Sequence, residues 1–141
     1  MSAITVVEAL HNQTVEAGTA YIAPGDFHME VIEHRGKLVI QLLDSAPLKG
    51  HRPSVDVLFA SIGKLANHQK VAVILTGMGN DGTAGLMQMK EKSAGCTLAL
   101  AESEGTSVVF GMPKAAIRTG FVDEVLDLND VAQRIQQYIY S

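Results

Sequence analysis

Residues 71–85, VAVILTGMGNDGTAG, constrain the fold more than any other stretch of the chain. Val71-Ala72-Val73-Ile74-Leu75 is a continuous apolar run, as expected of a strand covered on both faces. Residues 76–82 then make a turn containing Gly77, Gly79 and Gly82, with Met78, Asn80 and Asp81 between them. A helix is predicted from Thr83 to about Lys92, with Leu86, Met87 and Met89 as its apolar residues. A strand, a glycine turn and a helix in this order set functional groups at the carboxyl end of a parallel sheet. The glycines permit positive φ and leave room for a ligand beside the main chain. Backbone N–H groups at such a turn can hold an anion or a developing oxyanion. Asp81 is the one carboxylate of the loop and the first candidate for chemistry. Asn80 and Asp81 are equally ordinary turn and helix-capping residues, so spacing alone leaves both readings open. The loop is neither a GxGxxG nor a P-loop sequence, which gives nucleotide binding little support.

The rest of the chain alternates around this unit. Residues 4–9 are β-branched and read as a strand, 11–18 as a polar loop, and 21–26 as a short strand ending in a Pro-Gly turn. Residues 28–34 and 37–42 flank Arg35-Gly36, a hairpin signal expected to sit at a sheet edge. After an irregular link at 44–50, a helix is predicted over 54–66, with Ser54 as its cap and Asp56 in its first turn. Its Val55, Leu58, Phe59, Ile62 and Leu65 recur at helical spacing. Further on come a strand at 96–101, a loop at 102–109 and a short helix at 113–118 opened by Pro113 and ended by Gly120. A last strand at 122–126 leads into an amphipathic helix at 127–140, with Val131, Ile135 and Ile139 on one face. From residue 54 onward strands and helices alternate, which predicts a parallel α/β sheet with right-handed crossovers.

Composition excludes several classes of function. The 141 residues suit one domain, and 47% hydrophobic content suffices for a core. A formal net charge of −4 argues against nucleic acid or an anionic membrane as an electrostatic partner. No apolar run reaches the roughly 18–20 residues of a membrane-spanning helix, and the first ten residues lack the pattern of a signal peptide. The single cysteine, Cys96, reads as a small buried residue of a cytoplasmic protein. With one cysteine and five scattered histidines, no metal-ligand cluster appears.

Four segments in order, YIAPGDFHMEV, HRPSVDVLFASI, VILTGMGNDGTAG and SVVFGMPKAAI, resemble the catalytic domain of the bacterial chemotaxis protein-glutamate methylesterase. The resemblance runs over nearly the whole chain. It implies a Rossmann-like three-layer α/β/α fold, with a mostly parallel sheet and an antiparallel edge hairpin. It implies hydrolysis of glutamate methyl esters on the cytoplasmic coiled coil of a methyl-accepting receptor, and deamidation of receptor glutamines, without cofactor or metal. It further places the aspartate of a Ser-His-Asp triad at Asp81 and an oxyanion-binding N–H at Met78. A hydroxyl attacks the ester, an imidazole takes its proton, and a carboxylate holds the imidazole's tautomer.

The family's serine-bearing turn and histidine-bearing strand have no counterpart in these residues. The chain is therefore expected to be the C-terminal portion of the domain, with the family's first strands missing, and inactive alone. Gly77, Gly79, Asn80, His28, His51 and Ser107 are candidates for lining the substrate cleft. His28 and His51 can equally be structural, and Ser54 is better explained as a helix cap than as a nucleophile. His11, His34 and His68 sit in polar contexts and are expected to be solvated. Unpaired strand edges in such a fragment predict a homo-oligomer. A non-catalytic receptor- or partner-binding module is the competing reading, and an anion binder built on the Gly77–Gly82 turn is a third.

Overall fold

The structure, a computed structural model, describes residues 3–140. The expected domain bounds of 1–141 and the reading of the first residues extend outside the described residues. Parallel strands β1 (Thr5–Glu8) and β2 (Thr19–Ile22) pair with each other, followed by the hairpin of β3 (His28–His34) and β4 (Lys37–Leu43). Helix α1 (Val55–Gly63) leads to β5 (Lys70–Ile74), and α2 (Thr83–Ser93) to β6 (Thr97–Glu102). Helix α3 (Met112–Ile117), β7 (Glu124–Leu126) and α4 (Leu128–Ile139) close the described chain. The fold is thus α/β, mostly parallel with one antiparallel hairpin.

Strands β5, β6 and β7 form a parallel sheet in that order, as the alternation of strands and helices predicts. Side chains alternate across it. Ala72, Ile74 and Ala99 face a core shared with Phe59 of α1, Leu86 and Met89 of α2, and Ala116 of α3. Leu98 and Leu100 face the other way, onto Val131 of α4, with Val71, Val73, Ile135 and Tyr138 around them. Helices therefore cover both faces, and the continuous apolar run at 71–75 follows from burial on both sides. A third cluster, Ala9, Met29 and Ile40, lies under the N-terminal strands and meets Leu58 of α1.

Several local expectations need correction. The hairpin turn is as expected, with positive φ at Arg35 and Gly36, 51° and 77°. The hairpin does not extend the edge of the parallel sheet, however, but forms a ladder of its own. The outer side of β4 is occupied by residues 12–15, through Ile40 N–H to the Gln13 carbonyl and Val15 N–H to the Leu38 carbonyl, while Val31 N–H of β3 donates to Ser61 Oγ of α1. The strand expected at 21–26 begins at Thr19, and α1 ends at Gly63. Cys96 is half-buried at the end of a short 3-10 turn, Ala94–Cys96, rather than inside the strand. Glu102, assigned to a loop, ends β6 and is 1% exposed. Met87 and Ile139 point outward, and Tyr138 takes the place expected of Ile139 against the sheet. No described helix is long and apolar enough to cross a membrane.

Candidate active site

The turn after β5 is held from three sides. Below it, the Glu102 carboxylate accepts the Thr76 N–H at 2.8 Å. Beside it, Thr76 Oγ1 accepts the Val109 N–H at 2.7 Å, and the Gly77 N–H donates to the Val109 carbonyl at 3.0 Å. In front, the Gly77 carbonyl accepts the N–H groups of Gly111 and Met112 at 3.1 and 2.8 Å, at the start of α3. A trans peptide is planar, so its N–H points opposite to its C=O. With the Gly77 carbonyl turned into α3, the Met78 N–H of the same peptide faces away from it. Among the described residues nothing accepts that N–H, and the Met78 side chain is 82% exposed.

Gly111 makes this packing possible by its size. Its φ is −88°, an ordinary value, so a positive φ is not why glycine stands there. A Cβ would lie 2.7 Å from the Gly77 oxygen and 3.0 Å from the Gly79 nitrogen, both backbone atoms. Gly79 itself has φ 87°, a conformation that side chains with a Cβ rarely adopt.

Asp81 follows this turn and is 7% exposed. It does cap a helix, but not the one it precedes. Its Oδ2 accepts the Val55 N–H at 2.8 Å and its Oδ1 the Asp56 N–H at 3.0 Å, both from the first turn of α1. Asp56 returns the arrangement, its Oδ1 accepting the N–H groups of Gly82 and Gly85 at 2.9 and 2.8 Å. Each aspartate thus satisfies the free N–H groups at the start of the other's helix. The helices cross closely where Gly85 meets Asp56, as a Cβ on Gly85 would lie 2.7 Å from the Asp56 carbonyl oxygen. Ser54 precedes α1 as expected, yet its hydroxyl makes no bond to the N–H groups of that helix. It donates instead to Asp81 Oδ1 at 2.9 Å.

Burial pushes the Asp81 carboxyl pKa up, but the N–H groups of Val55 and Asp56, the Ser54 hydroxyl and the nearby His51 more than offset this. The net result lies below the ordinary carboxylate value, so Asp81 is ionised near neutral pH. His51 is exposed, at the end of a tight turn closed by reciprocal backbone bonds with Leu48. Its influence on Asp81 is electrostatic.

The other candidates are more scattered. Gly77, Met78, Gly79, Asn80 and Asp81 share one turn, with Gly79 and Asn80 exposed. His28 is 1% exposed, its Nε2 donating to the Ala46 carbonyl at 3.0 Å, and so ties β3 to the following link. The Ser107 hydroxyl donates to the Ser103 carbonyl at 2.8 Å, within the loop after β6. His11 is not merely solvated, since its Nδ1 accepts the Leu42 N–H. Among the described residues no serine hydroxyl is hydrogen-bonded to a histidine. The sequence reading missed Asp56 and Glu102 as supports of this turn. Asp56 looked like an ordinary first-turn acid, and only the apolar run preceding Glu102 hinted at its burial.

Several known proteins resemble this chain. Residues 1–135 match the family described as CheB methylesterase. A protein-glutamate methylesterase/protein-glutamine glutaminase of Oceanobacillus iheyensis is 50% identical over 133 residues, covering 94% of this chain and 38% of that protein. One of the same description from Geobacillus kaustophilus is 50% identical over 139 residues, covering 99% of this chain and 39% of that protein. The crystal structure of the Thermotoga maritima CheB methylesterase catalytic domain matches with a TM-score of 0.87 at 37% identity, over 93% of this chain and 68% of that one. The chain spans less than two fifths of the length of these curated relatives.

Proposed function

This chain belongs to the CheB methylesterase family, and we propose that it supplies the carboxylate and the oxyanion amide of a Ser-His-Asp site hydrolysing glutamate methyl esters on a chemoreceptor. The observation that carries this reading is the state of Asp81, a buried, ionised carboxylate fixed by three donors beside a glycine turn. Catalysis of this kind needs a carboxylate that does not move while it holds an imidazole in one tautomer. The serine and histidine come from a segment outside residues 1–141.

The reaction then follows. A serine oxygen adds to the ester carbonyl as its proton passes to the imidazole, whose N–H toward Asp81 is held by the carboxylate. The negative charge on the former carbonyl oxygen is met by the Met78 N–H, already turned outward by the anchoring of the Gly77 carbonyl. Collapse expels methanol, protonated by the imidazolium, and water releases the glutamate from the serine by the same steps. A glutamine side chain reacts likewise, with ammonia leaving, which gives deamidation. The substrate is the helical cytoplasmic tail of a receptor, no metal or cofactor is required, and the reaction takes place in the cytoplasm.

A second reading is favoured by one observation. Met78 and Val108 are 82% and 89% exposed, on the turn after β5 and the loop after β6 that its backbone bonds. Such apolar side chains suit docking of a partner helix without any hydrolysis. Methanol release from methylated receptor separates the two. The 141-residue chain alone is expected to release none. A chimera in which it replaces the matching stretch of the Geobacillus relative is expected to turn over. A chimera that binds receptor but releases no methanol would favour the docking module.

A further inference from the structure

We propose that Ser54 is a positioning residue for catalysis, its hydroxyl fixing Asp81 Oδ1 so that Oδ2 alone is offered to the imidazole. This rests on the reading of Asp81 as the triad carboxylate.

An ionised carboxylate has about four acceptor sites, two on each oxygen. Asp81 Oδ1 receives the Ser54 hydroxyl at 2.9 Å and the Asp56 N–H at 3.0 Å, which fills it. Oδ2 receives only the Val55 N–H, at 2.8 Å, among the described residues. One site therefore remains, and it is on Oδ2. Two of the three donors belong to the backbone of α1 and come with the helix. The Ser54 hydroxyl is the only one that a side chain supplies.

The behaviour of Ser54 makes the assignment specific. A serine preceding a helix ordinarily accepts an N–H from its first turn. Here Asp81 takes the first-turn N–H groups of Val55 and Asp56, and the 2%-exposed Ser54 hydroxyl becomes a donor to that same carboxylate. Without it, Oδ1 would regain a free site beside the one on Oδ2. An imidazole N–H could then bond either oxygen, and only one geometry points the ring at the serine. The loss falls on the chemical step and not on substrate binding, because Ser54, 2% exposed, presents almost no surface for a substrate to touch.

The test uses the chimera with the Geobacillus relative, comparing Ser54→Ala and Asp81→Asn with the unsubstituted chimera. Ser54→Ala is expected to lower kcat about 10–100-fold, the range for losing a hydrogen bond to a charged group, with KM within about twofold. In the 141-residue chain, the carbon-13 shift of the Asp81 carboxyl should titrate at higher pH in Ser54→Ala. If Ser54→Ala does not fold, Ser54→Cys fills the same space with a weaker donor, and kcat must again fall at constant KM. Unchanged kcat in Ser54→Ala, with Asp81→Asn inactive, would overturn the role of Ser54 and leave the triad standing. Full activity in Asp81→Asn would remove the triad reading, and this inference with it.

Discussion

Asp56 and Asp81 cap each other's helices: Asp81 binds the first N–H groups of α1, and Asp56 binds the N–H groups of Gly82 and Gly85 at the start of α2. Both carboxylates are buried, at 5% and 7% exposure, so neither set of N–H groups has water as an easy substitute. The exchange couples the fold to the site, since the glycine turn is anchored to a helix that arrives from earlier in the chain. Asp56→Ala should therefore destabilise the chain by about 2–3 kcal/mol, leaving two buried N–H groups without an acceptor. Asp56→Asn, which keeps an acceptor oxygen, should cost less. Urea denaturation of both variants checks this, and equal stability of Asp56→Ala and the unsubstituted chain would contradict it.

The Asp81 carboxyl titrates below its ordinary value of 3.8 in the folded chain. A carboxylate whose folded pKa is depressed binds more protons when unfolded, so stability rises with pH through that window. The contribution of Asp81 is fully present above the unfolded value and is lost as pH falls through the folded one. Thermal melts from pH 6 to pH 2 should show an acid-side loss of stability that is smaller in Asp81→Asn. The same slope in both proteins would rule out Asp81 as its source.

Gly111→Ala should disturb the turn that orients the Met78 N–H. The added Cβ would meet the Gly77 oxygen at 2.7 Å and the Gly79 nitrogen at 3.0 Å, and backbone atoms cannot swing away as a side-chain tip can. Overpacking of this kind costs about 1–3 kcal/mol. In the chimera the variant should also lose kcat. Unchanged melting and unchanged turnover would mean that the loop opens without consequence.

The 141-residue chain alone should self-associate. Val6 on β1 and Ile22 on β2 are 60% and 57% exposed. Among the described strands, β5 pairs only with β6, which leaves its other edge open. Exposed apolar strands and open edges of this kind recruit another chain. Light scattering at micromolar concentration should give a dimer or larger species, and a monomer would contradict this.

What could be read from the sequence was what local chemistry decides. The run Val71 to Leu75, the positive-φ pair Arg35-Gly36 and the helical spacing of Val55, Leu58, Phe59 and Ile62 each specify an element within a few residues. Relations between distant residues were not legible. Ser54 looks like a cap because serine before a helix usually is one, and only the fold reveals that Asp81 has taken that task. Gly111 is needed for a close approach by Gly77, which no φ preference records. Glu102 ends an apolar strand, and its partner Thr76 follows the neighbouring one.

The most direct measurement is kcat for methanol release from methylated receptor by the chimera carrying Asp81→Asn. The amide favours the wrong imidazole tautomer, so kcat should fall by about 10⁴-fold. The substituted side chain keeps two of the three bonds, its oxygen accepting the Asp56 N–H and the Ser54 hydroxyl, and loses the charge and the acceptor of the Val55 N–H. The protein should therefore remain folded, as its circular dichroism would show. A folded Asp81→Asn chimera with undiminished turnover would mean that Asp81 only caps α1 and takes no part in the chemistry.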